Sequence, residues 1–272
     1  MTTDMPYAEV IGDPIAQSKS PLIHKFWLDR LGIKADYRAC HVAASELADY
    51  IAQRSADPAW RGCNVTIPHK IAIMDLVNDP GGVREKIGAM NTIFRQEDGS
   101  LTGTNTDAAG FLAPIADADW AGKRAVIIGA GGAARAVIFA LKQAGIADIT
   151  IVARNGLKAS GLLMQSSVKG SVLPMDARLP TVDILINASP LGMMGKPPLE
   201  LDLDPLPDDA LVYDLVYAPL ETGLLKAAKQ RELEIVDGLD MLIGQAALAF
   251  ELFFGATPPL EDDAELRKLL LA

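Results

Sequence analysis

The sequence predicts an α/β fold built from two modules, the second of which is a doubly wound parallel sheet. Two observations support this prediction. Apolar runs of strand length alternate with segments of helical periodicity along the chain. In addition, the apolar run at residues 125–128 leads directly into a glycine-rich turn at residues 129–134 and then into a helical segment. We therefore divide the chain into residues 1–107, residues 108–238 and a helical segment at residues 239–272.

Composition limits the class of protein and of ligand. The chain has 272 residues, of which 50% are hydrophobic, so each module can bury a core of its own. Its formal net charge is -10. An acidic surface repels nucleic acid and anionic membranes, so we expect neither as a partner. A small anionic ligand must therefore be met by local positive groups.

Cysteine usage and hydropathy indicate a cytoplasmic protein. Cys40 and Cys63 are the two cysteines and neither belongs to a metal-type cluster, so we expect a reducing compartment and no metal site. Residues 1–6 lack a basic region followed by an apolar stretch, so we expect no secretory signal. The most apolar window, residues 239–254, is interrupted by Asp240 and is shorter than the ~20 residues that a membrane span needs.

The first module is predicted to form a mixed or parallel sheet with flanking helices. Pro21 opens a helix, and we expect Ser20 to cap it. Turn residues at 97–99 between two short apolar runs predict a hairpin. Strands are predicted at residues 8–12, 36–42, 61–67, 91–95 and 101–104, and helices at residues 21–31, 44–53, 69–77 and 108–115.

The second module alternates strands and helices, as a parallel sheet requires. Strands are predicted at residues 125–128, 148–153, 182–187, 210–215 and 234–236, and helices at residues 133–144 and 222–231. Two further helices, at residues 239–254 and 264–271, are expected to pack back on the first module.

The glycine turn of the second module is the strongest single indication of a ligand. Gly129, Gly131 and Ala134 match the pattern G-x-G-x-x-A between a strand and a helix, with a second strand at the expected distance. Such a turn presents backbone N–H groups at a helix N-terminus, where a pyrophosphate binds. We therefore predict a Rossmann-type dinucleotide-binding domain. The alternative is a tight strand-to-helix turn that binds nothing.

The residues after the next strand indicate which dinucleotide is bound. The strand at residues 148–153 leads into Arg154 and Asn155 rather than into Asp or Glu. An acidic side chain there hydrogen-bonds the ribose diol of NAD, whereas a guanidinium forms paired hydrogen bonds with the 2′-phosphate of NADP. Lys158 adds positive charge, so we predict NADP. The alternative for Arg154 is a solvated loop cation.

Polar residues collect at the loop–helix junctions of the first module. Ser18 and Ser20 stand beside a helix N-terminus, an arrangement that suits a carboxylate. Lys70 follows the third strand. The hairpin between Asn91 and Asp107 runs out and back, so we expect these two residues at the same end of the sheet. Together these hydroxyl, ammonium, amide and carboxylate groups suit a hydroxyl-rich substrate. Taken singly, each of them has a structural alternative as a helix cap, a turn residue or a solvated surface charge.

Several motifs in a fixed order relate the chain to a known family. They are VIGDPIAQSKSP at residues 10–21, GCNVTIPHK at 62–70, GAMNT at 88–92, NTD at 105–107, the glycine turn, NAS at 187–189, YDLVY at 213–217 and DGLDML at 237–242, followed by Gln245. Through them, nearly the whole chain resembles the shikimate dehydrogenase family. Two positions differ: Gln17 stands where the family often has His, and Asn155 where Thr is common.

The resemblance implies roles for individual residues. It implies that Lys70 and Asp107 form the catalytic pair. The implied substrate contacts are Ser18, Ser20, Thr66, Lys70, Asn91, Asp107, Tyr217 and Gln245. The implied NADP contacts are Gly129, Ala130, Gly131, Gly132, Ala133, Ala153, Arg154, Asn155, Lys158, Leu215 and Gly238.

The implied activity is the reversible, NADPH-dependent reduction of 3-dehydroshikimate to shikimate in the chorismate route to aromatic amino acids. Lys70 and Asp107 then orient the substrate hydroxyl and stabilise developing alkoxide charge, and Lys70 transfers the proton. The alternatives are a quinate or dual quinate/shikimate dehydrogenase using NAD(P), a non-catalytic NADP-binding sensor, and a two-domain dehydrogenase of folate or tRNA metabolism. The last shares the glycine turn but not the Ser-Lys-Ser-Pro loop at residues 18–21. We expect small-molecule ligands and a monomer or homodimer.

Overall fold

The computed structural model describes residues 5–271, which divide into two compact units. Unit 1 takes the described chain up to Thr106 and again from Ile243, and unit 2 takes Asp107–Leu242. Residues 239–242, expected with the C-terminal helices, therefore group with unit 2. Residues 1–4, part of the segment in which no secretory signal is expected, and residue 272 lie outside the described residues.

Unit 1 is built on a mixed five-stranded sheet with the strand order β2-β1-β3-β4-β5. Its strands are β1 (Tyr7–Gly12), β2 (Asp36–His41), β3 (Trp60–Val65), β4 (Thr92–Arg95) and β5 (Leu101–Thr104). The strand β1 pairs in parallel with β2 and with β3, because helical connections return the chain to the same end of the sheet. The predicted hairpin forms the antiparallel pair β4–β5, and β4 pairs antiparallel with β3.

The helices of the first part of unit 1 are α1 (Ser20–Leu31), α2 (Leu47–Ser55) and α3 (Val83–Lys86). The helix predicted at 44–53 is wrong in part: Ala44–Glu46 form a 3-10 turn, whose three exposed side chains give no packing reason for α-helical geometry. The helix predicted at 69–77 is also wrong in part: only Ala72–Leu76 are helical, and they form a 3-10 helix. This short element is enough to bury the two core side chains of the segment, Ile73 and Met74.

The C-terminal helices are α8 (Gly238–Phe254) and α9 (Asp263–Leu271). From Ile243 onward they belong to unit 1, which confirms the predicted return to the first module. Phe250 of α8 packs against His24 of α1, with ring centroids 5.8 Å apart. The helix α9 runs antiparallel to α1 and is tied to it at both ends: Lys19 Nζ donates to the backbone oxygen of Leu270, and Arg30 forms an ion pair with Glu265.

Unit 2 contains a six-stranded sheet, parallel throughout, with the strand order β11-β10-β9-β6-β7-β8. Its elements are α4 (Asp107–Leu112), β6 (Arg124–Ile128), α5 (Gly132–Gln143), β7 (Asp148–Val152), α6 (Gly156–Ser166), β8 (Gly170–Leu173), β9 (Ile184–Asn187), β10 (Leu211–Asp214), α7 (Gly223–Gln230) and β11 (Glu234–Val236). The chain leaves the centre of the sheet in both directions, from β6 to β7 and from β9 to β10. This is the doubly wound order of a Rossmann-type domain, as predicted.

Some elements of unit 2 differ from the sequence prediction. The helix predicted at 108–115 ends as an α-helix at Leu112 and continues as a 3-10 turn, because Pro114 has no N–H to donate. The helix α6 and the edge strand β8 were not predicted, since Leu157 and Met164 of α6 are exposed and β8 buries no residue completely. Within residues 5–271, no helix combines the length and the apolar character needed to cross a membrane.

Candidate active site

The loop after β1 carries the two serines predicted to bind a carboxylate. Ser18 donates its backbone N–H to the oxygen of Ile15 at 3.0 Å, and Ser18 Oγ accepts from the N–H of Ser20 at 3.3 Å. The expectation that Ser20 caps α1 is wrong: Ser20 is the first helical residue, and Lys19 occupies the capping position without a side-chain hydrogen bond. Both hydroxyls therefore lie at the N-terminal end of α1, as a carboxylate site requires.

Thr66 and Lys70 lie in the turn that follows β3. The N–H of Thr66 donates to the oxygen of Ile11 at 3.0 Å, which extends the parallel pairing of β1 and β3. A Cβ on Gly12 would lie 2.6 Å from Thr66 Cγ2, so the glycine permits this close approach. The oxygen of Lys70 accepts from the N–H of Met90 at 2.8 Å, which ties the Lys70 backbone to the segment that leads to β4.

Asn91 is a buried amide whose orientation is fixed by hydrogen bonds within unit 1. Its Oδ1 accepts from the N–H of Thr106 at 2.7 Å and from Thr92 Oγ1 at 3.1 Å. Its Nδ2 donates to Thr106 Oγ1 at 2.9 Å and to Gln245 Oε1 at 3.4 Å. The structure thus brings together two predicted substrate contacts, Asn91 and Gln245, that lie 154 residues apart in the sequence.

Asp107 directly follows Thr106, whose backbone N–H is hydrogen-bonded to Asn91. Thr106 is anchored through its N–H to Asn91, and the next residue, Asp107, begins α4. Asp107 is the first residue of unit 2, and its side chain is buried, with 5% of its surface exposed. Chain connectivity therefore ties the Asp107 backbone to Thr106.

The glycine turn of unit 2 leads from β6 into α5 and includes Ala130 and Ala133. Gly129 has a φ of +111°, which side-chain-bearing residues rarely adopt, and a Cβ there would lie 3.0 Å from the oxygen of Ala188. Gly131 precedes α5, and no side chain caps this helix. A Cβ on Gly131 would meet no atom within 4 Å. The N–H groups of the first turn of α5, beginning at Gly132, are thus available to an anion.

The segment after β7 carries the predicted specificity residues. Ala153 is buried, whereas Arg154 and Lys158 are exposed cations. Asn155 has a role that the sequence analysis did not assign: its Oδ1 accepts from the N–H of Lys158 at 2.9 Å and caps α6. The side chain at this position therefore fixes the turn that presents Arg154.

Leu215, Tyr217 and Gly238 lie at or beyond the ends of β10 and β11. The N–H of Leu215 donates to the oxygen of Asn187 at 3.0 Å. Gly238 is the first residue of α8, and a Cβ there would lie 2.4 Å from the oxygen of Leu215. Only a glycine allows this approach of the helix to the loop after β10. Tyr217 lies in that loop and is half-buried.

One charged residue near the glycine turn was missed by the sequence analysis. Arg135 is the fourth residue of α5. Its Nη1 donates to Gln165 Oε1 at 2.6 Å, and its Nε is buried with no hydrogen-bond partner in the part of the chain that the structure describes. Burial lowers the pKa of Arg135. The sequence signal that could have identified Arg135 as a candidate is its position directly after the glycine turn. Across residues 5–271, no group of three or more His, Cys, Asp or Glu side chains is arranged to hold a metal ion.

Comparison with known proteins matches the chain to one family in three segments. Residues 10–93 match the shikimate dehydrogenase substrate binding domain, residues 112–191 match shikimate / quinate 5-dehydrogenase, and residues 238–265 match the shikimate 5'-dehydrogenase C-terminal domain. A shikimate dehydrogenase (NADP(+)) of Sphingopyxis alaskensis is 67% identical over 267 residues, covering 98% of this chain and 97% of the relative. The chain belongs to the shikimate dehydrogenase family.

Solved structures with a similar fold match nearly the full length of this chain. Shikimate 5-dehydrogenase from Thermus thermophilus, in complex with NADP(H) and shikimate, is 34% identical with a TM-score of 0.86, covering 98% of this chain and 100% of that one. The ligand-free 5-ketofructose reductase of a Gluconobacter strain is 33% identical with a TM-score of 0.87, covering 98% of this chain and 99% of that one. The shikimate dehydrogenase fold therefore occurs in proteins named for different substrates.

Proposed function

We propose that this shikimate dehydrogenase family member catalyses the reversible reduction of 3-dehydroshikimate to shikimate with NADPH, in the chorismate route to aromatic amino acids. The observation that carries the proposal is the 67% identity, over nearly the full length, to a protein named shikimate dehydrogenase (NADP(+)). A non-catalytic sensor is disfavoured because Lys70 and Asp107 are both present.

The proposed substrate contacts come mostly from unit 1. Ser18 and Ser20 would hold the substrate carboxylate through their hydroxyls at the N-terminal end of α1, where the helix dipole favours an anion. The remaining contacts, to the ring hydroxyls, are assigned to Thr66, Asn91, Tyr217 and Gln245. The mutual hydrogen bond of Asn91 and Gln245 supports the assignment of two of these side chains to one binding surface.

Lys70 and Asp107 are the proposed catalytic residues. When bound, NADPH supplies the hydride for the C3 carbonyl of 3-dehydroshikimate. The ammonium of Lys70 stabilises the negative charge that develops on the carbonyl oxygen and donates the proton to it. The carboxylate of Asp107 accepts a hydrogen bond and orients the reacting oxygen. In the reverse direction, Lys70 takes the proton from the hydroxyl.

The residues of unit 2 fit NADP. The N-terminus of α5, which no side chain of the described residues caps and which has open space at Gly131, suits a pyrophosphate, because the N–H groups of a helix's first turn lack intrahelical partners and favour an anion. The exposed guanidinium of Arg154 and the ammonium of Lys158 suit a 2′-phosphate. The proposed contacts with the cofactor are Gly129, Ala130, Gly131, Gly132, Ala133, Ala153, Arg154, Asn155, Lys158, Leu215 and Gly238.

The proposal is tested by following NADPH formation spectrophotometrically with shikimate and NADP. Quinate with NADP, and shikimate with NAD, are the matched controls. We expect kcat/KM to be highest for shikimate with NADP, by about tenfold or more. Quinate is tested because residues 112–191 match a family described as shikimate / quinate 5-dehydrogenase. 5-Ketofructose is tested with NADPH because one of the similar solved structures is a 5-ketofructose reductase. A higher kcat/KM for either alternative substrate would overturn the assignment.

The role of Lys70 is tested by Lys70→Met, which keeps an unbranched apolar stem and removes the ammonium. We expect kcat to fall about 10²–10⁴-fold, the usual contribution of a general acid–base group, while the KM for shikimate stays nearly unchanged. A kcat within tenfold of the wild type would show that Lys70 does not transfer the proton.

We further propose that the protein acts in the cytoplasm as a monomer or homodimer. Within the described chain, Cys40 and Cys63 are free thiols, and Cys63 is buried. Free thiols fit a reducing compartment. Small molecules are the proposed ligands, with no nucleic acid or membrane as partner, because the net charge of -10 disfavours polyanions. Light scattering of the purified chain measures the oligomeric state.

A further inference from the structure

The carboxylate of Asp214 is buried at the end of β10 and is held by three donors. Asp214 has no exposed surface. Its Oδ1 accepts from Asn187 Nδ2 at 2.8 Å and from the N–H of Val216 at 3.0 Å, and its Oδ2 accepts from Thr222 Oγ1 at 2.6 Å. A buried carboxylate without donors is costly, so these hydrogen bonds constrain every group that makes them.

Asn187, at the end of the neighbouring strand β9, organises the loop that follows that strand. Its Oδ1 accepts from the N–H of Ser189 at 3.1 Å and from Ser189 Oγ at 2.7 Å. Its Nδ2, besides donating to Asp214, donates to the oxygen of Leu191 at 3.0 Å. Ser189 Oγ in turn accepts from the N–H of Leu191 at 3.2 Å. The loop at residues 188–191 is therefore folded around the Asn187 amide.

Thr222 closes the loop that follows β10. Its Oγ1 donates to Asp214 and accepts from the N–H of Leu225 at 3.3 Å, so that it also caps α7. The N–H of Val216 is held by the same carboxylate. The loop at residues 215–221 is thus fixed near both of its ends by the side chain of Asp214.

We propose that Asp214, Asn187 and Thr222 are positioning residues for the nicotinamide half of the cofactor, an inference that rests on the proposed function. A doubly wound sheet binds one mononucleotide on each half, at the carboxyl ends of its strands. The half formed by β6, β7 and β8 carries the glycine turn and Arg154. The loops fixed by the three residues follow β9 and β10 in the other half.

The three residues act through these loops and not by touching a ligand. Asp214 and Asn187 are 0% exposed and Thr222 is 1% exposed. The loop after β10 carries Leu215 and Tyr217, which are proposed contacts of the cofactor and of the substrate. A change at Thr222 therefore reaches the ligands only by moving or loosening this loop. The 2′-phosphate and adenosine side of the cofactor, bound by the other half of the sheet, is left undisturbed.

The experiment compares Thr222→Val, which removes the hydroxyl at nearly constant shape, with Thr222→Ser, which restores it. The control is Thr150→Val, because Thr150 is buried in β7, in the half of the sheet that carries the glycine turn, and its hydroxyl pairs with Ser171 Oγ at 3.1 Å. Calorimetry gives the Kd of NADPH and of adenosine 2′,5′-bisphosphate, a fragment that lacks the nicotinamide half. Steady-state kinetics give kcat and the two KM values.

We expect Thr222→Val to weaken NADPH binding about tenfold, because cofactor binding must then order the loosened loop at about the cost of one hydrogen bond to a charged group, and to leave fragment binding unchanged. Thr222→Ser and Thr150→Val should bind both ligands like the wild type. Unchanged NADPH binding in Thr222→Val, or equal loss of both ligands, would overturn the inference alone. A wild-type chain that binds neither ligand would overturn the proposed function, and this inference with it.

Discussion

His24 is a buried imidazole, and we predict that it makes unit 1 sensitive to acid. Its side chain is 0% exposed, and neither ring nitrogen has a hydrogen-bond partner among the described residues. It stacks on Tyr37 with ring centroids 3.8 Å apart. Burial lowers the pKa of His24 from 6.5 to about 3, because the imidazolium would lose its hydration.

The direction of the pH effect follows from this lowered pKa. In the unfolded chain His24 takes up a proton below pH 6.5, whereas in the folded protein it stays neutral until the pH approaches 3. Its contribution to stability is therefore intact above pH 6.5 and is lost as the pH falls from 6.5 toward 3. Near pH 5 the unfolded state gains about 2 kcal/mol, since each unit below the unfolded pKa is worth about 1.4 kcal/mol.

The perturbation is His24→Leu, made in a Trp120→Phe background so that tryptophan fluorescence reports unit 1 alone. The chain has three tryptophans, and Trp27 and Trp60 both lie in unit 1. Urea unfolding gives the free energy of unfolding at several pH values from neutral to about pH 5. We expect the parent to lose about 2 kcal/mol more than His24→Leu over this range.

The matched control is His41→Gln, which removes an exposed imidazole and leaves His24 in place. His41 Nε2 lies 3.0 Å from Asp13 Oδ1. This control should keep the loss of stability that we assign to His24. If His24→Leu loses as much stability toward acid as its parent, the buried imidazole is not the acid-sensitive group, and the reasoning fails.

Two further predictions concern the cofactor site. Gly131→Ala should leave Tm unchanged, because the added Cβ meets no atom within 4 Å, yet raise the KM for NADPH about tenfold by occupying the pyrophosphate position. Gly161→Ala, which also meets no atom within 4 Å, is its control, and an unaltered KM in Gly131→Ala would contradict the placement of the pyrophosphate. Arg154→Ala should raise the KM for NADPH about tenfold or more and leave that for NADH nearly constant, because only NADPH carries the 2′-phosphate. Equal effects on both cofactors, or the same effect from the exposed Arg178→Ala, would remove the phosphate argument.

The second sheet could be predicted in most of its strands because its signals are local. The apolar run at residues 125–128 and the glycine turn lie within ten residues of each other, and together they predict β6 and α5. The strand β8 carries no comparable signal, since it lies at the edge of the sheet and its first residues, Gly170 and Ser171, are exposed. Partial burial erases the hydrophobic pattern on which such predictions rest.

Most of the proposed site residues could be identified from the sequence through the family resemblance. The hydrogen-bond partners of their side chains could not. Asn91 and Gln245 hydrogen-bond across 154 residues of chain, and no local pattern predicts such a pair. Asn155 is an implied NADP contact, and its role as the cap of α6 has no counterpart in the sequence analysis. Asp214 and its partner Asn187 come together only because β9 and β10 are neighbours in the folded sheet. Tertiary contacts thus decide what each polar side chain does.

The most direct test of the central claim is a double-mutant cycle on kcat with Lys70→Met and Asp107→Asn. If the ammonium and the carboxylate act on the same reacting oxygen, their effects are strongly non-additive. We predict that the double variant turns over about as slowly as the more damaged single variant, within about tenfold. A double variant whose loss equals the product of the two single losses would show that Lys70 and Asp107 act independently, and would contradict the account.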